Sequence, residues 1–341
     1  MLFSKSLALA VALLASSVVA SHNDIHAPAV ARHAGSKRGS KCKAKTSANY
    51  VGHKKHKSSK KASGSASTDN KTAASSGAKQ NNAKPPAGAP KNLKGKAGLC
   101  WPNGDSMKMS NFAIGDVSWY YTWHPAPSAG AGDMMFCSML WGTKQIGDYQ
   151  QHVISQPDSD ANKDRCTMGP NEVQEPGQAN MSPQATCDLM RKYQVPLKDN
   201  HGYYLMGPST SSNPNGLNDW YPKFRKACPD VLDKLDAISL HWYDVKLSDF
   251  KKYIQDWVDA FDKDVWVTEY ACQNFNGGAQ CTKDEAWAFH QGAVEFMDAH
   301  PRVVGYSAFS TMQNLQGVAE VNRMSVGSQP NALFRLYAGL N

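Results

Sequence analysis

The 341-residue sequence lacks any apolar run long enough to cross a bilayer, which takes about 20 residues, so a spanning helix is not expected. Its apolar opening, Leu7 to Leu14, is short and runs into small residues ending at Ala20. With Lys5 ahead of it, that is the layout of a secretory signal peptide over residues 1–20, and the expected product is secreted, extracellular or wall-located. Also missing is any Cys-x-x-Cys or Cys/His ligand spacing. The 8 cysteines are therefore expected to form disulfides in an oxidising compartment, with no metal and no cofactor. Seven of them lie from Cys100 onward and Cys42 lies upstream, so one thiol of the seven is left over. Cys272 and Cys281 bracket the loop Gln273 to Gln280 and are the pair expected to join.

Acidic residues and aromatics are scarce before residue 96. Between Ser21 and Gly95 there are 16 Lys/Arg against 2 Asp/Glu, and Tyr50 is the only aromatic. Such a stretch has too little apolar surface to offset chain entropy, so residues 21–95 are expected to be a disordered, basic linker. Within it, Lys37-Arg38 resembles a dibasic processing site, and Asn70-Lys71-Thr72 is an N-glycosylation acceptor. Without interleaved aromatics, and outside the cell, the linker's charge does not imply nucleic acid as partner. Adhesion to anionic wall polymers and a plain solvated spacer both fit it. From Lys96 onward the balance reverses to a net charge of −7.

That acidic remainder, 96–341, alternates short apolar runs with helical stretches. Strands are expected at Gly98–Trp101, Val117–Tyr120, Met134–Leu140, Arg165–Gly169, Tyr203–Met206, Ala237–His241, Val265–Thr268 and Val304–Ala308. Helices are expected at Ser182–Tyr193, Asp219–Cys228, Ser248–Phe261 and Lys283–His300; the last carries Ala286, Phe289, Ala293, Phe296 and Met297 at three-and-four spacing. Eight such repeats predict a single α/β (β/α)8 barrel of TIM type. An open doubly wound sheet is the alternative, disfavoured because no glycine-rich phosphate loop follows the first strand.

In a barrel of this type, chemistry sits at the C-terminal ends of the strands. Those positions hold Trp119, Tyr121 and Trp123 (second strand), Trp141 (third), Asn171 and Glu172 (fourth), His241, Trp242 and Tyr243 (sixth), and Glu269 and Tyr270 (seventh). Two carboxyl groups facing one another across a barrel mouth are what acetal hydrolysis needs, one to protonate the leaving oxygen and one on the opposite face of the sugar. Burial and the second carboxylate are expected to raise the pKa of Glu172 as the acid. Asn171 is suited to a sugar 2-hydroxyl, and the aromatic rings to pyranose faces. Glu175, in the same loop but beside Pro176, is the rival acid, and His241 suits either substrate or structure. Asn180-Met181-Ser182 fits a glycosylation acceptor, although Ser182 before Pro183 reads more simply as a helix N-cap.

Pro170-Asn171-Glu172, followed by Gln178-Ala179-Asn180-Met181-Ser182-Pro183, resembles glycoside hydrolase family 128. So do Lys96–Leu99, Trp119–Tyr121, Met139–Gly142, His241–Tyr243 and Trp266–Cys272, and the resemblance covers about Lys96 to Leu340. It implies a compact (β/α)8 barrel acting on β-1,3-glucan by a retaining mechanism with Glu172 as acid/base and Glu269 as nucleophile; the chain is expected to be a monomer. A glucan-binding wall protein of the same fold, without activity, is the alternative. Two positions depart from the family pattern: Val173 stands where proline is usual, and Tyr306-Ser307-Ala308-Phe309 stands where Tyr-Ala-Trp-Phe is typical. Ala308 in place of tryptophan is expected to remove an aromatic platform from the cleft.

Overall fold

The computed structural model describes residues 84–340. The expected signal peptide, the two basic residues Lys37-Arg38, Cys42, Asn70 and most of the linker lie outside the described residues. Residues 84–95, grouped by composition with the linker, belong instead to the folded unit. Leu93 is buried beside the barrel, Asn92 Nδ2 donates to Asp164 Oδ1 at 2.8 Å, and Gly95 N donates to Ser118 Oγ at 2.9 Å. One leucine in a polar stretch gives no periodicity from which that docking could be read.

The barrel strands are β1 (Ala97–Cys100), β2 (Val117–Tyr121), β3 (Met135–Phe136), β4 (Ser138–Met139), β5 (Cys166–Met168), β6 (Tyr204–Met206), β7 (Ala237–Asp244), β8 (Asp264–Cys272) and β9 (Val303–Ala308). They form one sheet in the order β3-β2-β1-β9-β8-β7-β6-β5-β4, and its ladders are parallel. β3 and β4 are separated only by Cys137; the first pairs with β2 and the second with β5. They are two halves of one stave, so the sheet is a nearly closed eight-stave barrel. All eight expected strands are present. Among the described residues the disulfides are Cys137–Cys166, Cys187–Cys228 and Cys272–Cys281, and Cys100 is a buried free thiol.

Helices cover the outside. The helix Pro183–Tyr193 starts where expected, with Ser182 Oγ accepting from Ala185 N and proline at the first position. Leu247–Phe261 and Lys283–Ala299 match expectation within a residue; the second opens with a full capping box between Thr282 and Glu285. The region expected as one helix from Asp219 is a π-turn, Gly216–Trp220, leading into Tyr221–Ala227. Among the described residues no helix is long and apolar enough to cross a membrane.

The barrel interior is filled in layers by inward side chains at alternate positions of each strand. Near the strand N-termini, Trp119 and Trp266 meet edge to face at 4.5 Å. Glycine is required there: a Cβ on Gly98 would lie 2.2 Å from the Trp119 ring, and one on Gly305 2.5 Å from the Trp266 ring. Above Trp119, two residues on, comes Tyr121, and two residues further comes Trp123, with ring centroids 6.0 and 4.8 Å apart in turn.

Candidate active site

Alternation along two adjacent strands decides which predicted residues reach the mouth. On β7, His241 and Tyr243 point inward while Trp242 packs outward against Phe250 and Tyr253 of the helix Leu247–Phe261. On β8, Glu269 points inward while Tyr270 packs outward against Phe250, Phe289 and His290. A register shift between Leu240 and His241 aligns His241 opposite Glu269. Glu172 follows β5 in the loop Pro170–Val173, its backbone in the left-handed region at φ 42°, where a non-glycine residue is strained.

Ser209, in the loop after β6, holds that conformation. Glu172 N donates to Ser209 Oγ at 2.9 Å, Ser209 N donates to Pro170 O at 2.9 Å, and Val173 N donates to Ser209 O at 3.2 Å. The last bond accounts for Val173 where proline is usual, because proline has no N–H to donate. Asn171 is buried one residue before the glutamate, with Ser209 Oγ donating to its Oδ1 at 3.4 Å.

The two glutamates converge on His241. Glu172 Oε1 lies 2.9 Å from His241 Nδ1, and Glu269 Oε1 lies 3.5 Å from His241 Nε2. One ligand atom from each of the three residues falls within 4.8 Å of the others. Glu269 accepts twice more: from Trp123 Nε1 at 2.9 Å on Oε1, and from Tyr243 Oη at 2.6 Å on Oε2. Both contacts suit an ionised carboxylate, which accepts on each oxygen.

Burial dominates the electrostatics, each glutamate retaining 3% exposure. It pushes the Glu269 carboxyl above its ordinary range; His241 opposes when it is protonated, the Glu172 charge adds, and the bonds from Tyr243 and Trp123 pull back. Burial lowers His241, against the attraction of Glu269, so the imidazole is neutral near pH 7. Burial and the Glu269 charge hold the Tyr243 phenol well above its usual range, which keeps it a donor. Two carboxylate oxygens and an imidazole nitrogen are also donor types that a divalent cation accepts, and Glu172, His241 and Glu269 are where one would sit. The oxygens of Glu269 are already engaged by Trp123 and Tyr243.

Glu172, Asn171, Trp123, His241, Tyr243 and Glu269 are thus brought together. Trp141 is close by: its carbonyl accepts from Asn171 N at 2.9 Å, and Gln145 joins it to Trp123 by accepting from Trp141 N at 3.2 Å and donating to Trp123 O at 2.9 Å. Tyr121 lies one layer down, supporting Trp123, its hydroxyl donating to Thr268 O at 3.0 Å. The expectation that Trp119, Trp242 and Tyr270 face the carboxylates is corrected. Trp119 is core near the barrel floor, donating to Lys96 O at 2.9 Å, and the other two are turned outward by strand alternation. Glu175 is buried, with Ser211 Oγ donating to its Oε1 at 2.6 Å.

Ser209, Gln145 and Phe309 had not been anticipated. At the last strand the aromatic beside the carboxylates is Phe309, 5.8 Å from Trp123 and 6.0 Å from Tyr243 by ring centroids. Ala308, one position earlier, is buried in the core cluster with Tyr270 and Tyr306, so Phe309 rather than residue 308 supplies the ring there. An aromatic directly after a predicted strand and out of phase with its outward face was the available signal for Phe309; Ser209 offers none.

The family described as glycosyl hydrolase catalytic core matches residues 98–337. The chain is 27% identical over 235 residues to alkali-sensitive linkage protein 1 of Schizosaccharomyces pombe, an alignment covering 68% of this chain and 42% of that protein. The chain therefore spans less than half the length of that relative. Among solved structures, it resembles a GH128 (subgroup III) curdlan-specific exo-β-1,3-glucanase from Blastomyces gilchristii, with TM-score 0.58, 24% identity and coverage of 71% and 97% of the two chains. A GH128 (subgroup I) endo-β-1,3-glucanase from Amycolatopsis mediterranei, in complex with laminaritriose, gives TM-score 0.58, 22% identity and coverage of 71% and 98%. A GH128 (subgroup VII) oligosaccharide-binding protein from Cryptococcus neoformans gives TM-score 0.59, 23% identity and coverage of 74% and 95%.

Proposed function

The chain belongs to the glycosyl hydrolase catalytic core family, and from that premise we propose that it is a secreted, retaining glycoside hydrolase acting on β-1,3-glucan, with Glu172 as acid/base and Glu269 as nucleophile. The observation that carries this reading is the closeness of the pair: ligand atoms of Glu172 and Glu269 lie within 4.8 Å. Retaining enzymes hold their carboxyl groups about 5–5.5 Å apart, whereas inverting ones leave about 6.5–9.5 Å for a water.

In the first step Glu172 gives its proton to the glycosidic oxygen as the C1–O bond breaks, and a Glu269 oxygen bonds to C1, forming a glycosyl ester. In the second, Glu172 takes a proton from water as the water oxygen attacks C1, and Glu269 leaves as carboxylate. The hydrogen bonds of Trp123 and Tyr243 favour the charged Glu269 that both steps require. Neutral His241 can accept from protonated Glu172 at Nδ1 while its own proton sits on Nε2, toward Glu269. The similarity to glucan-acting GH128 structures supports the substrate class, and three disulfides agree with an oxidising compartment. The basic segment upstream is suited to anionic wall polymers.

A second reading, a sugar-binding protein without turnover, is favoured by the similarity to the oligosaccharide-binding protein of the same fold and by the near-complete burial of both carboxyl groups. Digestion of linear β-1,3-glucan with sizing of products separates the two. The hydrolase reading predicts oligosaccharide release that is lost in Glu269→Gln; retention on insoluble glucan without release establishes the second.

A further inference from the structure

Trp123 reaches Glu269 from an unfavourable backbone. Its φ is 55°, in the left-handed region that a bulky side chain disfavours, yet its indole is buried with Nε1 2.9 Å from Glu269 Oε1. The ring packs on Tyr121 and Phe309, with centroids 4.8 and 5.8 Å away, while the peptide needs a hold of its own. Gln145 supplies it. Half-buried at the end of the 3-10 turn Thr143–Gln145 that follows β4, its side chain donates from Nε2 to Trp123 O at 2.9 Å and accepts at Oε1 from Trp141 N at 3.2 Å. A backbone carbonyl only accepts and a backbone N–H only donates, so both ends of the amide are used and their order is set. Neither glutamate nor methionine, of similar length, can make both bonds near neutral pH. The anchor is itself tied down. Trp141 O accepts from Asn171 N at 2.9 Å, and the turn presses on the acid loop so closely that a Cβ on Gly142 would lie 3.2 Å from the Cβ of Ala179.

We propose that Gln145 is a positioning residue: by fixing the Trp123 peptide in its left-handed conformation, it keeps the indole N–H on Glu269. The inference deepens the hydrolase reading and rests on it for the effect on turnover. Gln145 acts through Trp123, whose bond favours the ionised form of the nucleophile. With the amide removed, the Trp123 peptide is free to leave the strained conformation, and the indole that continues from it shifts off the carboxylate.

The test compares the full-length wild type with Gln145→Glu and Gln145→Met near neutral pH, with thermal melts to establish that each is folded. Gln145→Glu keeps an acceptor for Trp141 N but sets an ionised oxygen against Trp123 O, and Gln145→Met removes both bonds. The tryptophans are isotope-labelled at the indole nitrogen, and the Trp123 N–H signal is identified by its absence in Trp123→Phe. Positioning predicts that this signal moves upfield in both variants as its bond to Glu269 weakens, and that kcat on linear β-1,3-glucan falls about tenfold with KM within about twofold. A Trp123 signal that stays in place in the folded variants overturns the proposal, whatever happens to kcat, and so does a moved signal with kcat unchanged. If one variant does not fold, the other decides by the same criteria; failure of both to fold makes Gln145 structural and overturns it as well. A wild-type protein that holds glucan without cutting it refutes the hydrolase reading separately, and the indole signal then still decides whether Gln145 keeps Trp123 on Glu269.

Discussion

The two ends of this barrel bury polar groups to different ends. At the floor, Lys96 Nζ donates to the carbonyls of Met297, Asp298 and His300 at 3.0, 2.8 and 2.9 Å, closing the last turn of the helix Lys283–Ala299, and Trp119 donates to Lys96 O. The donors there end on backbone carbonyls, and the packing is close enough to require Gly98 and Gly305. At the mouth the donors Trp123 and Tyr243 end on a carboxylate, and Glu172 and Trp123 both have positive φ, at 42° and 55°. The floor satisfies its buried groups with fixed partners and gains stability. The mouth concentrates charge and strain around the two carboxyl groups to which the chemistry is proposed to belong.

Glu172→Gln sharpens the contrast most. Loss of a positioned general acid is expected to cost about 10²–10⁴-fold in turnover of glucan. On an aryl glycoside whose leaving group needs no proton the loss should be far smaller, and equal losses on the two substrates would remove Glu172 from the acid role.

Tyr243→Phe deletes one bond to the charged form of Glu269 and should lower kcat about tenfold or more. In the proposed nucleophile role Glu269 must be ionised, so activity is expected to fall on the acid side through its raised pKa; losing the donor raises that pKa further, and the acid limb of the pH–rate profile should move to higher pH. A limb that stays in place or moves down contradicts the assignment. The same shift has a stability consequence. Because the folded-state pKa lies above the ordinary value, the folded protein holds its proton longer than the unfolded chain, and Glu269 weakens stability as pH rises from the usual glutamate range through that raised pKa. Glu269→Gln should flatten that decline in a pH series of thermal melts.

Ser209→Ala keeps the two backbone–backbone bonds that Ser209 makes to the acid loop and removes the side-chain acceptor of Glu172 N. It is expected to reduce kcat several-fold while costing about 1–2 kcal/mol in stability by chemical denaturation. The smallest effect on activity belongs to the other end. Lys96→Met removes charge-assisted bonds to three carbonyls and should cost about 2 kcal/mol with kcat unchanged. A drop in kcat comparable to that of Ser209→Ala would erase the distinction between floor and mouth.

The strands and the paired glutamates could be read from sequence because each apolar run is bounded by polar segments, and because glutamate after a buried strand needs a reason. The direction of the aromatics was equally available, since His241, Trp242 and Tyr243 cannot all face one side of a pleated strand. The Cys272–Cys281 bridge followed from its short loop; the other two bridges join residues 29 and 41 positions apart, brought together only by the folded barrel. Ser209 was beyond reach for a different reason. A serine that satisfies a strained loop through a neighbouring stave leaves no periodic trace, and neither does the break at Cys137 that divides one stave between two partners.

Double displacement requires Glu172 and Glu269 to be close enough for one to attack the sugar directly. Proton NMR of the first product formed from a β-1,3-linked glucose oligosaccharide, recorded before mutarotation, measures it. Attack by Glu269 predicts the β-anomer first; initial release of the α-anomer would show that water attacks instead and would rule out the covalent route.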